Sequence, residues 1–207
     1  MTKKRGFIII FALIFLFFPK FFFSANQEAL KIPKLSTAPK IDGVLDNPLW
    51  EKEAIKVENF LQFTPKEKGT PSEKTVAYVG YDKKNLYIAF RCFDSEPKKI
   101  RASVTNRDNI VDDDWAIIFL DCFNEKRRAF SFILNPIGVQ MDLMRMEEGG
   151  SDNMDESWDT VFYSDGKIDD QGYTVEVAIP FKSIRFPDKE DKVWGFMLGR
   201  TIARKGE

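Results

Sequence analysis

From residue 75 onward the apolar side chains come in short runs, and nearly every run is closed by a turn sequence. The turns are Asp82-Lys83-Lys84-Asn85, Asn124-Glu125-Lys126, Pro136-Ile137-Gly138, Ser164-Asp165-Gly166 and Asp170-Gln171-Gly172. Runs this short give little room for amphipathic helices, whereas strands of two packed sheets need only this length. The spacing predicts strands over 75–81, 86–93, 102–105, 115–122, 129–135, 139–144, 158–163, 173–179 and 193–202, the first two forming a hairpin. Several of these runs are apolar on both faces, as strands in the middle of packed sheets are. The fold class is therefore all-β: a two-sheet antiparallel β-sandwich, jelly-roll-like, with one or two short helices.

One helix is legible. Asn47 is placed to cap it, Pro48 fits the first helical position, and Glu51 lies early, where the helix dipole favours an acid. Trp50 then faces inward. Residues 147–156, polar and containing Gly149-Gly150, read as a mobile loop. Short edge strands are expected near Leu30-Lys31-Ile32 and Leu35-Ser36-Thr37.

The front of the chain is different. Lys3, Lys4 and Arg5 precede twelve consecutive apolar residues, 7–18, followed by Pro19-Lys20, three phenylalanines and Ser24-Ala25. A basic start, a short apolar run and a small residue form the grammar of a secretory signal, with cleavage after Ala25. An uncleaved membrane anchor over residues 7–23 is the alternative. Either way the chain is expected to be exported, to the periplasm, the cell surface or the outer membrane. The organisation read from the sequence is a signal peptide over 1–25, a connecting segment over 26–35 and the sandwich over 36–207. An apolar strand so close to residue 207 suggests a C-terminally truncated domain, or the front of a longer protein. Export permits a disulfide between Cys92 and Cys122, the only two cysteines; two separately buried thiols are the other reading.

Composition then removes whole classes of chemistry. The chain has no histidine, which excludes Ser-His-Asp and Cys-His catalysis and the usual zinc sites. Of its 31 basic and 32 acidic side chains, four basic ones and no acid lie in the leader, so the remainder is mildly acidic and nucleic acid is not an expected partner. What survives is carboxylate chemistry, oxygen-ligated metals, or binding. Asp112, Asp113 and Asp114 offer oxygens to a calcium ion, as do Asp152, Asn153, Asp155 and Glu156, though a solvated acidic loop is the favoured reading of each set. No facing pair of carboxylates of the kind a glycosidase needs is identifiable.

The four tryptophans are Trp50, Trp115, Trp158 and Trp194. Trp50 and Trp194 read as core. Trp115 and Trp158 each follow an acidic loop and begin a strand, so they sit where a sugar ring could stack on an indole face. Arg127, Arg128, Asn135 and Gln140, on the hairpin that follows Trp115, are candidate partners for sugar hydroxyls; packing and plain surface polarity are the competing readings.

Four segments together resemble the successive motifs of family 9 carbohydrate-binding modules. They are Ile41-Asp42-Gly43-Val44-Leu45-Asp46-Asn47-Pro48-Leu49-Trp50, Asn85-Leu86-Tyr87-Ile88-Ala89-Phe90, Asp113-Asp114-Trp115-Ala116-Ile117-Ile118-Phe119-Leu120-Asp121, and Gly172-Tyr173-Thr174-Val175-Glu176-Val177-Ala178-Ile179-Pro180. Asn135-Pro136-Ile137-Gly138, Ser157-Trp158-Asp159 and Phe181-Lys182-Ser183-Ile184-Arg185 are similar to the subgroup at the N-terminus of large bacterial envelope proteins with a barrel-like C-terminal region. The resemblance implies a sandwich with bound calcium and a sugar held between aromatic side chains. Its context would be polysaccharide degradation by an attached glycoside hydrolase, xylanase-like, or glycan uptake. Of the polar positions, Arg128 carries over. Many family members read Asp-Ser-Val-Glu-Ile-Phe where this chain has Asp114-Trp115-Ala116-Ile117-Ile118-Phe119, so Ile117 stands in place of an acid that can bind sugar. Three functions follow in order of preference: a non-catalytic carbohydrate-binding module, a structural or interaction domain of an outer-membrane barrel protein with a degraded sugar site, and a self-contained hydrolase.

Overall fold

The computed structural model describes residues 30–148, 151–189 and 192–207. The expected signal peptide, residues 1–25, lies outside the described residues. The body runs from Lys31 to Glu207. In chain order it contains α1 (Pro48–Lys52), β1 (Ile55–Val57), β2 (Thr75–Tyr81), β3 (Asn85–Phe93), β4 (Trp115–Asp121), β5 (Arg128–Leu134), β6 (Gln140–Glu148), β7 (Ser151–Asp155), β8 (Tyr163–Asp169), β9 (Gly172–Pro180) and β10 (Gly195–Thr201). Every strand pair is antiparallel. One sheet has the order β1-β2-β3-β9-β8 and the other β10-β4-β5-β6-β7, so the chain forms the all-β sandwich expected.

Side chains alternate across each strand, and the two inward sets make one core. Ala77, Val79, Ile88, Phe90, Val175 and Val177 from the first sheet meet Ala116, Ile118, Leu120, Phe130, Phe132 and Leu134 from the second. The outer face of the first sheet is apolar as well, because Leu35 and Trp50 lie over Val76, Tyr78, Tyr87, Ala89 and Ala178. Strands β3 and β9 are therefore covered on both sides, which is why they read as continuous apolar runs.

A single carboxylate fastens that cover. Glu176, fully buried on the outer face of β9, accepts hydrogen bonds from the backbone N–H of Asp42 and of Gly43, both 2.9 Å, and from the indole Nε1–H of Trp50 at 2.8 Å. Burial pushes its pKa up despite these three donors. The Thr174 hydroxyl on the same face donates to the Gly43 carbonyl. Asn47 caps α1 through its side-chain oxygen, which accepts from Leu49 N–H at 3.0 Å, and Pro48 opens the helix as expected.

At the corner below this latch, three glycine backbones touch. A Cβ on Gly43, whose φ is +73°, would come within 2.9 Å of Gly166, and one on Gly166 would come within 2.7 Å of Gly138 N. This contact corrects one expectation. Ser164-Asp165-Gly166 is part of strand β8 rather than a turn; it reads as a turn because β8 is a largely exposed edge strand whose glycine serves backbone contact.

Other boundaries shift for similar reasons. The loop expected over 147–156 is largely strand where it is described: β6 continues to Glu148 and pairs with β7, Arg145 opposite Met154. Their polarity reflects a sheet edge. The segments 102–105 and 158–162 carry apolar residues without pairing as strands. Trp194, expected in the core, sits half-buried in an aromatic cluster with Phe181 and Phe186, its ring centroid 6.1 and 5.3 Å from theirs.

Cys92 and Cys122 are buried and unbridged. Cys92 pairs with Tyr173, whose hydroxyl reaches the carbonyl of Trp115 at the start of β4, 3.5 Å away. Cys122 lies beyond the other end of β4, about 20 Å further along the strand, whereas a disulfide needs Cα atoms within about 7 Å. The bridge is thus replaced by two separate buried thiols, and burial pushes the Cys122 pKa up to about 12.

Two outcomes test this account. Glu176→Gln keeps the volume but presents an amide N–H to N–H donors. It should lower stability by about 1–3 kcal/mol, read as a thermal-unfolding shift of roughly 3–10 °C. Because the folded carboxyl holds its proton above its ordinary pKa of 4.5, the native state binds more protons than the unfolded chain just above that pH, so this site's contribution to wild-type stability falls as pH rises there. The variant should lack that slope. Separately, a thiol reagent should label neither cysteine in native protein and both in denaturant; fast labelling in the native state would contradict the packing.

Candidate functional site

The outward face of the second sheet is built from alternate residues of β10, β4, β5 and β6. One row across it is Gly199, Ile117, Ile133 and Met141, and the next is Met197, Phe119, Ser131 and Leu143. Residues 101–114 fold back over the first of these rows, bringing Ile110 down onto Ile133 and Leu143 with Trp115, Ile117, Val139 and Met141 packed around them. Trp115 is half-buried there, and its indole N–H donates to the Ile110 carbonyl at 2.7 Å. Ile117 is thus one piece of a small apolar core. Nothing in this patch offers a hydroxyl a partner at that position.

The polar candidates at the same end serve the architecture. Asn135 is fully buried; its amide nitrogen donates to Ser103 O and Asp113 Oδ2, both 2.9 Å, while its oxygen accepts from Ile137 N–H and Val139 N–H. It therefore shapes the β5–β6 turn and holds the 101–114 segment. Gln140 spans to β8, donating to Phe162 O at 3.1 Å and to Ser164 Oγ at 2.8 Å. Neither side chain stands free at a rim.

The three consecutive aspartates diverge. Asp112 is exposed. Asp113 accepts from Ser103 N–H and Oγ–H, both 2.8 Å, as well as from Asn135. Asp114 is buried, accepts from Ala203 N–H at 2.8 Å, and has its pKa raised by that burial. Strand alternation and the turn before β4 send the three carboxylates in different directions, so they do not fit a calcium site. Asp155, from the second set, is occupied by Ser157 N–H and Oγ–H. Among the described residues no group of three or more metal-ligating side chains converges.

Trp158 lies elsewhere. Its ring stacks on Phe130 at 4.9 Å between centroids and 29° between planes, and meets Phe132 edge-on at 5.9 Å. The adjacent polar network is Arg107, which pairs with Asp142 and, at 3.0 Å, with Asp159, while Thr160 N–H donates to Asp142 at 2.7 Å. Burial raises the Asp142 pKa against these partners. Both indoles are half-buried and engaged in packing, so the expected pair of open aromatic faces is absent from this end.

Arg128 opens the far end of β5, about 20 Å from Asn135 along the strand. Its guanidinium bonds Glu125 at 2.5 Å and lies 5.4 Å from the ring centroid of Phe123. Phe123 is 41% exposed, an accessible aromatic surface that the sequence reading passed over. An aromatic immediately before the polar turn Asn124-Glu125-Lys126 was its only signal. A shallow cleft of about 230 Å³ runs between Glu125, Arg127, Arg128, Met146 and Glu147. The structure therefore places Trp115 and Asn135 at the packed 101–114 cover, turns Gln140 toward β8, and leaves Arg128 with Phe123 at an open corner.

The comparisons with known proteins agree with this architecture. A family model described as carbohydrate family 9 binding domain-like matches residues 41–203. A family 9 carbohydrate-binding module from Caldicellulosiruptor kristjanssonii, solved with cellotriose, is 19% identical, with a TM-score of 0.51 over 77% of this chain and 70% of that one. The same module with glucose gives 18% identity, a TM-score of 0.51, and 79% and 73% coverage. No curated protein matches the chain. At these identities the structural likeness speaks for the fold.

The packed corner has a direct test. Ile117→Glu restores an acid at that position but places it among Ile110, Ile133 and Trp115, so it should cost about 1–3 kcal/mol of stability in urea unfolding. An unchanged midpoint would mean that the patch is open to water.

Proposed function

The chain belongs to the carbohydrate family 9 binding domain-like family, and from that premise we propose that it is a non-catalytic carbohydrate-binding module of an exported protein. The observation that carries the reading is the extent of the family match, residues 41–203, which takes in every strand of both sheets. The related module from Caldicellulosiruptor kristjanssonii was solved with cellotriose and with glucose, which makes β-linked glucans the first ligands to try. In this chain the surface suited to sugar is the Phe123–Arg128 corner. An exposed ring can lie against sugar C–H groups, and guanidinium and carboxylate groups beside it can bond hydroxyls. So shallow a site implies micromolar to millimolar affinity, about −4 to −8 kcal/mol. Hydrolysis would be supplied by another region, in a polysaccharide-degrading or glycan-uptake system, and the basic-then-apolar leader supports export to the envelope.

A second reading is favoured by one specific observation, the apolar patch around Ile117. On that reading the domain has lost its sugar contacts and serves as a structural or interaction module beside an outer-membrane barrel.

Calorimetry of the purified protein against cello-oligosaccharides, xylan and cellulose separates the two. Binding in the stated range, weakened about tenfold or more by Arg128→Ala, supports the module. Failure to bind any of them supports the interaction domain, and release of sugar from any of them would make the chain an enzyme.

A further inference from the structure

A second cleft, larger than the one beside Arg128, is at the other sheet. Chain leaving β1 at Val57 makes an excursion over 58–74 before re-entering as β2, and the excursion is closed on itself by Gln62 N–H to Gly69 O and Gly69 N–H to Lys66 O, both 2.9 Å. Between its two limbs lies a cleft of about 590 Å³. That is within the usual range of roughly 300–1,000 Å³ for small-molecule sites, which the cleft beside Arg128 does not reach.

One limb supplies apolar surface. Phe60 is half-buried against the main core, and Leu61 beside it is 68% exposed. The opposite limb, Thr70, Pro71, Glu73, Lys74 and Thr75, is held in place from behind. Glu73 accepts from Ser95 N–H at 3.1 Å, from Ser95 Oγ–H at 2.6 Å and from Lys205 Nζ at 2.6 Å, and Ser72 N–H donates to Glu207 Oε1 at 2.9 Å. A wall fixed before the ligand arrives lowers the ordering cost of binding, which matters most when contacts are few.

The charges of the cleft are already matched. Lys74 Nζ lies 3.5 Å from Glu58 and 5.8 Å from the Phe93 ring centroid, and Glu73 is paired with Lys205. Beside these paired charges the cleft offers a ligand two neutral groups, the Asn59 amide and the Thr70 hydroxyl, both exposed and making no hydrogen bond among the described residues. Apolar floor, neutral hydrogen-bonding groups and cancelled charge together match a neutral sugar chain better than an acidic one.

We propose that the cleft between residues 58–61 and 70–75 is a second glycan site, taking a short neutral oligosaccharide, separate from the Phe123–Arg128 corner. The proposal rests on the carbohydrate-binding reading and adds a location and a ligand class to it. Cellotriose titrated into the isotopically labelled protein should shift the amide signals of Asn59, Leu61 and Thr70 in saturable fashion. Trigalacturonate at equal concentration should shift them at least tenfold less. Leu61→Asp and Asn59→Ala alter exposed side chains; each should abolish or weaken the response by tenfold or more while circular dichroism stays unchanged. Shifts confined to Phe123 and Arg128, or a response at 59–70 untouched by both substitutions, would overturn this site and leave the general reading standing. A stronger response to trigalacturonate would overturn the neutral-ligand assignment, and silence with every sugar would overturn site and reading together.

Discussion

The architecture hangs on a buried anion without a cation. Glu176 sits on the outer face of β9, where water is excluded, and its carboxylate is satisfied entirely by N–H donors from residues 42, 43 and 50. An unpaired charge in such a place is costly unless every lone pair finds a donor. The segment carrying α1 is therefore obliged to lie across the first sheet, and once it does, Trp50 and Leu35 have an apolar surface to cover. Sheet, cover and helix orientation follow from one requirement. Thr174, two residues away on the same face, adds a second tie to Gly43.

The second sheet solves the same problem differently. Its outer face is covered in part by the 101–114 segment, and the fastening groups there are Asp113 and Asn135, which hold Ser103 and the β5–β6 turn. That fastening uses up the polar side chains nearest Ile117. Ile117 completes the exchange, because a dry patch over Ile133 and Leu143 is stable only without a charge in it. Open clefts remain at places the cover does not reach, the Arg128 corner and the excursion before β2. The fold is the family's.

Much of this was legible in the sequence and some was not. The hairpin of β2 and β3, the inward tryptophan of α1 and the Asn47 cap were readable because each depends on neighbours a few residues apart. Residues 147–156 and 164–166 were misread because polarity and glycine signal turns and sheet edges alike. At the open corner, Arg128 stands out in the sequence through its place in a motif, whereas the exposure of Phe123 beside it has no periodic signature. Asn135, Gln140 and Trp158 look like ligand-binding groups in one dimension. Whether an amide faces solvent or a neighbouring carbonyl depends on strands far away in sequence, and no local pattern encodes it.

The meeting of Gly43, Gly138 and Gly166 carries a consequence of its own. The backbone at Gly166 lies against both of the others with no side chain between them, so a side chain at Gly43 or Gly138 forces the Gly166 segment to retreat and one at Gly166 displaces the turn at Gly138. Divergence at that corner can proceed only through concerted change, and related chains should keep it nearly fixed. In the excursion over 58–74 the comparably tight glycine, Gly69, meets only Gln62 and Lys66 of the same excursion, so change there stays local and leaves the scaffold undisturbed.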